Sequence, residues 1–263
     1  MLNYLEINKK SWNNKVAFHL ASDFYFVEEF IAGRTSLNEP ELKLLGDIKG
    51  KKILHLQCHF GQDSISLARM GAEVTAVDLS DQAIAEGKKL AAQCGVNVNF
   101  IEADVYNLPH ILEEEFDVVF TSYGAIGWLP DMKKWAQVVS KFLKPSGKFV
   151  MVEFHPVVWM FDDDFTHIKY PYSSKEPIVE TYEGTYADQS AELSQEYVMW
   201  NHSLADVLQN LLHSELMLSD FQEYHWSPYA CFKKTIEFEP GKYRISELFS
   251  KIPLMYSIMA QKK

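Results

Sequence analysis

The stretch Ile53–Ser80, ILHLQCHFGQDSISLARMGAEVTAVDLS, reads as a strand, a turn, a helix and a second strand closed by an acid. KKILHL is rich in β-formers, QDSISLARM has helical spacing with Gly71 as its stop, and EVTAVD is the second strand. A ligand-binding turn between such a strand and helix usually carries two or three glycines, which let backbone N–H groups approach the ligand closely. Here only Gly61 remains, and Gln57 and His59 stand where glycine is expected.

Outward from this unit the alternation continues. DQAIAEGKKLAAQC is helical, with Ser80 or Asp81 suited to cap it, and VNFIEAD and FDVVFTS are the third and fourth strands. PDMKKWAQVVSKFLKPSGKFVMVEF supplies a helix, a Pro-Ser-Gly turn and a fifth strand. Strands separated by helices of this length predict right-handed crossovers and a parallel sheet. Such sheets bind ligands beyond the carboxyl ends of their strands, at the switch point near the first one. Past Phe154 the texture changes to aromatics, acids and turn residues, which predicts an insertion over that edge with a β-hairpin around IVETYEG and EYVMW. NHSLADVLQNLLHSEL then resumes as an amphipathic helix, and LMLSDFQEY and YSIMAQKK are closing strands. We expect one domain over 1–263: a helical, aromatic N-terminal lid (1–46), a core (47–155), a cap insertion (156–200), and a final helix with closing strands (201–263).

Composition narrows the function classes. A net charge of -11 repels phosphate backbones and argues against nucleic-acid partners. The three cysteines, Cys58, Cys94 and Cys231, form no CxxC pair and fit a reducing cytoplasm. MLNYLEINKKSWNNK lacks the basic-then-apolar pattern of a signal peptide, and no apolar run suits a bilayer, so no membrane association is expected.

The candidate site residues fall at the carboxyl ends of the strands. Asp78 ends the second strand, where an acid accepts hydrogen bonds from ribose hydroxyls in this architecture. Asp104 ends the third, with Val105 and Leu108 able to wall a flat ring. Asp63, in the first turn of its helix, reads as a residue matched to the helix dipole. His59 has two readings, a ligand contact or packing at the helix entrance. His55, Cys58 and His59 invite a metal reading, but strand alternation separates His55 from the others and no second pair lies nearby, so no metal is expected. Glu153, His155 and His202 are candidate bases, each with a buried hydrogen-bonding role as its alternative. The aromatics between Trp128 and Trp200 suit a planar acceptor or a plain second core.

Taken in order, LHLQCHFGQD, AVDLS, EADVYNLP, FDVVFTSYGAIGWLPD and LKPSGKFVMVEFHP resemble the motifs of class I S-adenosylmethionine-dependent methyltransferases over Gly50 to Pro156. The family's first motif is an acid followed by GxGxG; this chain has His55 for the acid, with Gln57 and His59 for two glycines. It resembles a bacterial branch acting on small molecules in which HFGQD-like turns occur. The resemblance implies a Rossmann-like seven-stranded sheet, mostly parallel with an antiparallel last strand, helices on both faces, and S-adenosyl-L-methionine as cofactor. It implies that Gln57, Cys58, His59, Phe60 and Gly61 face the methionine part. Asp78 would hold the ribose, Leu79 would pack on the adenine, and Asp104 with Val105 would flank the base. Ser122, Tyr123, Gly124 and Ala125 would border the sulfonium and the acceptor, with Tyr123 a further catalytic candidate. Trp12, His19 and Tyr25 would belong to the lid, ordinary helix packing being their alternative. The implied activity is methyl transfer to a small molecule by in-line displacement, which needs alignment and exclusion of water.

Three rivals share some features. A nicotinamide-dependent oxidoreductase should carry GxGxxG, which is absent, and the YxxxK spacing of Tyr229 and Lys233 lies outside a convincing helix. A degenerate, ligand-binding relative of the methyltransferases would explain the missing glycines. A nucleic-acid methyltransferase is opposed by the charge and by SYGAIG where such enzymes carry an Asn/Asp-Pro-Pro-aromatic motif. Sequence leaves monomer and dimer equally open.

Overall fold

The computed structural model describes residues 3–263. Three helices lead, α1 (Tyr4–Ala21), α2 (Val27–Ile31) and α3 (Glu39–Leu45). Next alternate β1 (Lys52–Leu56), α4 (Gln62–Arg69), β2 (Glu73–Asp78), α5 (Asp81–Gln93), β3 (Asn99–Glu102), β4 (Phe116–Ser122), α6 (Met132–Phe142) and β5 (Leu143–Phe154). The remainder comprises a hairpin of β6 (Ile178–Glu183) and β7 (Ser194–Met199), helix α7 (Leu204–His213), strand β8 (Leu216–Tyr224), a second hairpin of β9 (Thr235–Glu239) and β10 (Lys242–Ile245), and strand β11 (Met255–Lys262).

Seven strands form one sheet in the order β3-β2-β1-β4-β5-β11-β8. β1 pairs in parallel with β2 and β4, so the strand order reverses beside it and the carboxyl ends of β1, β2 and β4 open a crevice there. β11 is antiparallel to both of its neighbours, β5 and β8, which makes the last strand the reversed one, as expected. Buried side chains cover both faces. On one, Leu45, Ile65, Leu67 and Ile84 from α3, α4 and α5 meet Ile53 and Ala76; on the other, Trp135, Val139, Val207 and Leu211 from α6 and α7 meet Leu54, Leu56 and Val119. Burial on both faces is what a central parallel strand requires, and it explains why Ile53, Leu54 and Leu56 of β1 are all buried, with His55 buried among them.

Local signals set the element ends. Gly71, at φ +91°, turns the chain from α4 into β2. Of the two cap candidates for α5, Ser80 does the work: its Oγ accepts the Ala83 N–H at 3.0 Å. The expected hairpin is β6–β7, and α1 is tied to it by Asn8, whose amide donates to the Val198 carbonyl (2.8 Å) and accepts the Val198 N–H (2.9 Å). Two features differ from expectation. β5 begins at Leu143, so the Pro-Ser-Gly segment is carried within the strand, with Ser146 at φ +63° and a register shift against β4 between Phe116 and Val118. The hairpin β9–β10 was not anticipated, although Pro240-Gly241 between TIEFE and KYRI is its turn signal.

Candidate active site

A cavity of about 620 Å³ lies over the carboxyl ends of β1, β2 and β4 and is closed from above by the N-terminal helices and the β6–β7 hairpin. Its floor is the turn after β1. Gln57 and His59 both adopt left-handed backbone, φ +58° and +52°, and Gly61 follows at +77°. The turn therefore keeps the shape that glycine favours, at a cost of roughly 1 kcal/mol for each non-glycine residue. Each is anchored. Gln57 Nε2 donates to the Ala125 carbonyl at 2.6 Å, and a ring nitrogen of His59 (Nε2) lies 2.9 Å from His19 Nδ1. Gly61 has an internal reason to be glycine: a Cβ there would meet the Phe100 ring at 2.5 Å, and one at Gly87 would meet the same ring at 2.8 Å. Close approach of the backbone to Phe100 is one demand that this position cannot surrender.

Asp78 joins the two turns. Its Oδ2 accepts the His59 N–H at 2.7 Å and its Oδ1 the Ser80 N–H at 2.9 Å, and lone pairs remain on both oxygens on the cavity side. Burial raises its pKa to about 6 against the opposing pull of those N–H groups. Leu79, Asp104 and Val105 line the same end, and burial raises the half-buried Asp104 as well. Cys58 and Phe60 are buried in the turn and also reach the cavity. The metal trio disperses: His55 bonds Ser64 Oγ (2.8 Å), His59 faces His19, and the Cys58 thiol lies against the His59 carbonyl.

At the other end stand Ser122, Tyr123 (φ +33°) and Gly124 (φ +71°). Glu153, expected as a base, is their anchor. Its carboxylate accepts the backbone N–H groups of Gly124, of Ala125 (2.7 Å), of Ile126 (3.2 Å) and of Phe154 (2.6 Å). With both oxygens engaged it positions the loop, while burial, opposed by those N–H groups, raises its pKa. His155, the other base candidate, follows the last residue of β5 and lies outside the cavity lining: Nε2 pairs with Glu223 Oε1 at 2.9 Å and Nδ1 accepts the Val157 N–H at 3.2 Å. His202 does line the cavity. Its Nε2 donates to the Leu129 carbonyl at 2.7 Å, and burial lowers its pKa, which leaves a neutral ring with Nδ1 as its basic atom.

Several polar residues at this end escaped the sequence reading. Tyr123 donates its hydroxyl to Glu41 Oε2 at 2.7 Å, and burial, with repulsion from Asp63 second, raises Glu41 to about 7. Asn38, the cap of α3, donates from its backbone to Glu41 Oε1 (2.7 Å) and from its side chain to Tyr229 Oη (2.9 Å). Asp63, read as a dipole partner, is instead a cavity-lining carboxylate that accepts Ser122 Oγ–H at 2.8 Å and whose pKa burial raises. The N-P-E spacing of Asn38 to Glu41 does signal a helix cap, but nothing in it shows that the cap points inward. Tyr229 belonged to the discounted YxxxK pair; it packs edge-on to Tyr123 at 5.0 Å, while Lys233 turns to Asp164. Among the lid candidates, Trp12 and Tyr25 reach the cavity. Trp12 packs edge-on to His59 (5.2 Å), and Tyr25 stacks on His19 and shares a hydrogen bond with Tyr186.

The reversed β11 within an otherwise parallel sheet, with a cavity at its switch point, defines the class I S-adenosylmethionine-dependent methyltransferase fold. The comparisons agree. A structure of an S-adenosylmethionine-dependent methyltransferase from Mesorhizobium loti superposes with a TM-score of 0.57 at 18% identity, covering 88% of this chain and 100% of that one. The methyltransferase YbaJ of Bacillus subtilis is 22% identical over 232 residues, 82% of this chain and 89% of its own. A ubiquinone biosynthesis O-methyltransferase of Pseudomonas fluorescens is 28% identical over 117 residues, 44% of this chain and 50% of its own. Residues 53–147 match the family model described as a methyltransferase domain. This chain has the class I methyltransferase fold, and its residues 53–147 carry the match to a methyltransferase domain.

Proposed function

We propose that the chain transfers a methyl group from S-adenosylmethionine to a small-molecule acceptor with a planar, apolar body. The observation that carries this is the single cavity in which the turn 57–61, Asp78, Asp104 and the loop 122–124 meet in the order that the fold uses for this cofactor. The residues present fit it. Gln57 Oε1 and His59 Nδ1 are buried polar atoms without a protein partner, placed where the amino-acid end would lie. Asp78 would hold the ribose, Leu79 and Val105 would enclose the adenine, and Asp104 would receive its amino group. The cofactor supplies an electrophilic methyl on sulfur.

The chain's own contribution is alignment and dryness. Glu153 fixes the loop 124–126 through four N–H bonds, and that loop would border the reacting atoms. Trp12, Tyr25 and Tyr186 cover the turn from above and exclude water. Of the four acceptor-side candidates, His202 lines the cavity with a basic atom, Nδ1, free of backbone donors, and it is the residue we assign to receive a proton from an ionisable acceptor. Tyr123 also lines the cavity, but its hydroxyl donates to Glu41, so it could take a proton only by passing its own to that carboxylate. The three unpaired thiols, Cys58, Cys94 and Cys231, suit a reducing, cytoplasmic setting, and no helix among the described residues is long and apolar enough to cross a membrane. The test is calorimetric titration with S-adenosylmethionine, S-adenosylhomocysteine and NAD, with Asp78→Ala as control. Micromolar binding of the first two, weakened by the substitution, is expected; binding of NAD alone would refute the proposal.

A further inference from the structure

Lys15 sits on α1 one turn after Trp12, is only 6% exposed, and lines the cavity. Its ammonium is enclosed by three aromatic rings, at 4.8 Å from the centroid of Trp12, 5.5 Å from Trp128 and 5.8 Å from Tyr197. Those rings come from α1, from the turn after β4 and from β7, so three separate elements build the seat. The Asn8 clamp to Val198 fixes α1 against β7 two turns earlier. Aromatic faces attract a cation but carry no lone pairs in the plane of an N–H donor, and an ammonium has three donors to satisfy. Among the described residues no carboxylate lies within ion-pair distance of Lys15 Nζ. Of the carboxylates that line the cavity, Asp63, Asp78, Asp104, Glu153 and Asp162 are engaged by backbone or hydroxyl donors instead. Burial lowers the lysine to about 8, which leaves it largely charged at neutral pH.

We infer that Lys15 is the recognition point for a carboxylate on a ligand bound in the cavity. This rests on the methyltransferase reading of the site. Two carboxylates can reach it. One is the amino-acid end of the cofactor, since Trp12 of the same helix packs on His59 of the turn. The other is an acid group on the acceptor, since Trp128 and Tyr197 wall the side below the hairpin and suit a flat aromatic acid.

The experiment compares wild-type protein with Lys15→Met and Lys15→Gln, each checked for folding by circular dichroism. Removing a buried charge is not expected to unfold either variant, and one folded variant suffices. Affinities are measured for two matched pairs, S-adenosylhomocysteine against its decarboxylated analogue, and benzoate against benzamide. Wild type should prefer the carboxylate of at least one pair by at least about tenfold, and the variants should lose that preference. Loss within the first pair assigns Lys15 to the cofactor, and loss within the second to the acceptor. A preference that persists in the folded variants, or no carboxylate preference in wild type for either pair, overturns the inference. Failure of wild type to bind either nucleoside refutes the cofactor reading separately, because the benzoate pair measured without nucleoside still judges Lys15.

Discussion

Replacing Glu41 by glutamine should remove a pH dependence of stability that the carboxyl builds into the fold. Glu41 is fully buried between α3 and the loop after β4, and burial carries its pKa from an ordinary 4.5 up to about 7. A carboxyl raised on folding makes the native state the stronger proton binder between those values. Its contribution is therefore complete below pH 4.5 and is lost as pH rises through 7. Integrating the proton difference from about pH 5 to about pH 8 gives a loss of roughly 2.5 kcal/mol. Glutamine keeps the hydrogen bonds: its Oε1 can accept the Asn38 N–H while its amide donates to Tyr123, whose hydroxyl rotates to become the acceptor. It has nothing to ionise. Urea or thermal unfolding of both proteins across this range cancels the other titrating groups. Glu41→Gln should gain on wild type by roughly 2.5 kcal/mol, equivalent to about 5–10 °C in Tm, from the acid to the alkaline end. A difference between the two proteins that stays flat with pH would show that the Glu41 carboxyl is not held in this buried, proton-favouring seat.

Gly61→Ala combines φ +77° with a Cβ 2.5 Å from Phe100, and should cost about 2 kcal/mol or more by urea unfolding; adding Phe100→Leu should restore part of that, which a purely ligand-facing glycine would not allow. Glu153→Gln turns an amide donor toward two of the four backbone donors, and a destabilisation of about 2–4 kcal/mol is expected in the same assay, with weakened S-adenosylhomocysteine binding as the loop 124–126 loosens. A neutral effect would mean that the loop is held by other contacts.

The order of elements was legible from the sequence because it rests on local rules. Apolar runs bounded by Gly71 and by Ser80 set β2 and α5, and alternation of strand and helix sets a parallel sheet whatever the rest of the chain does. Asp78 could be placed at the end of β2 for the same reason, since position along a strand decides which side chains reach its carboxyl edge, whereas Asp104, expected to end the third strand, lies two residues past the end of β3. What a side chain then touches depends on residues far away in sequence, and here only tertiary structure decided. Glu153 and His155 looked equivalent on one strand, yet four amides of the neighbouring loop claim the first and Glu223, on β8, claims the second. Lys15 carried no motif and Glu41 only that of a helix cap, because their meaning arises from Tyr123, Trp128 and Tyr197, residues between 82 and 182 positions further along the chain. Gly61 was singled out for the close approach of backbone to a ligand that glycine permits. The ring of Phe100 that penalises any larger residue there arrives from β3, and no spacing along the chain announces it.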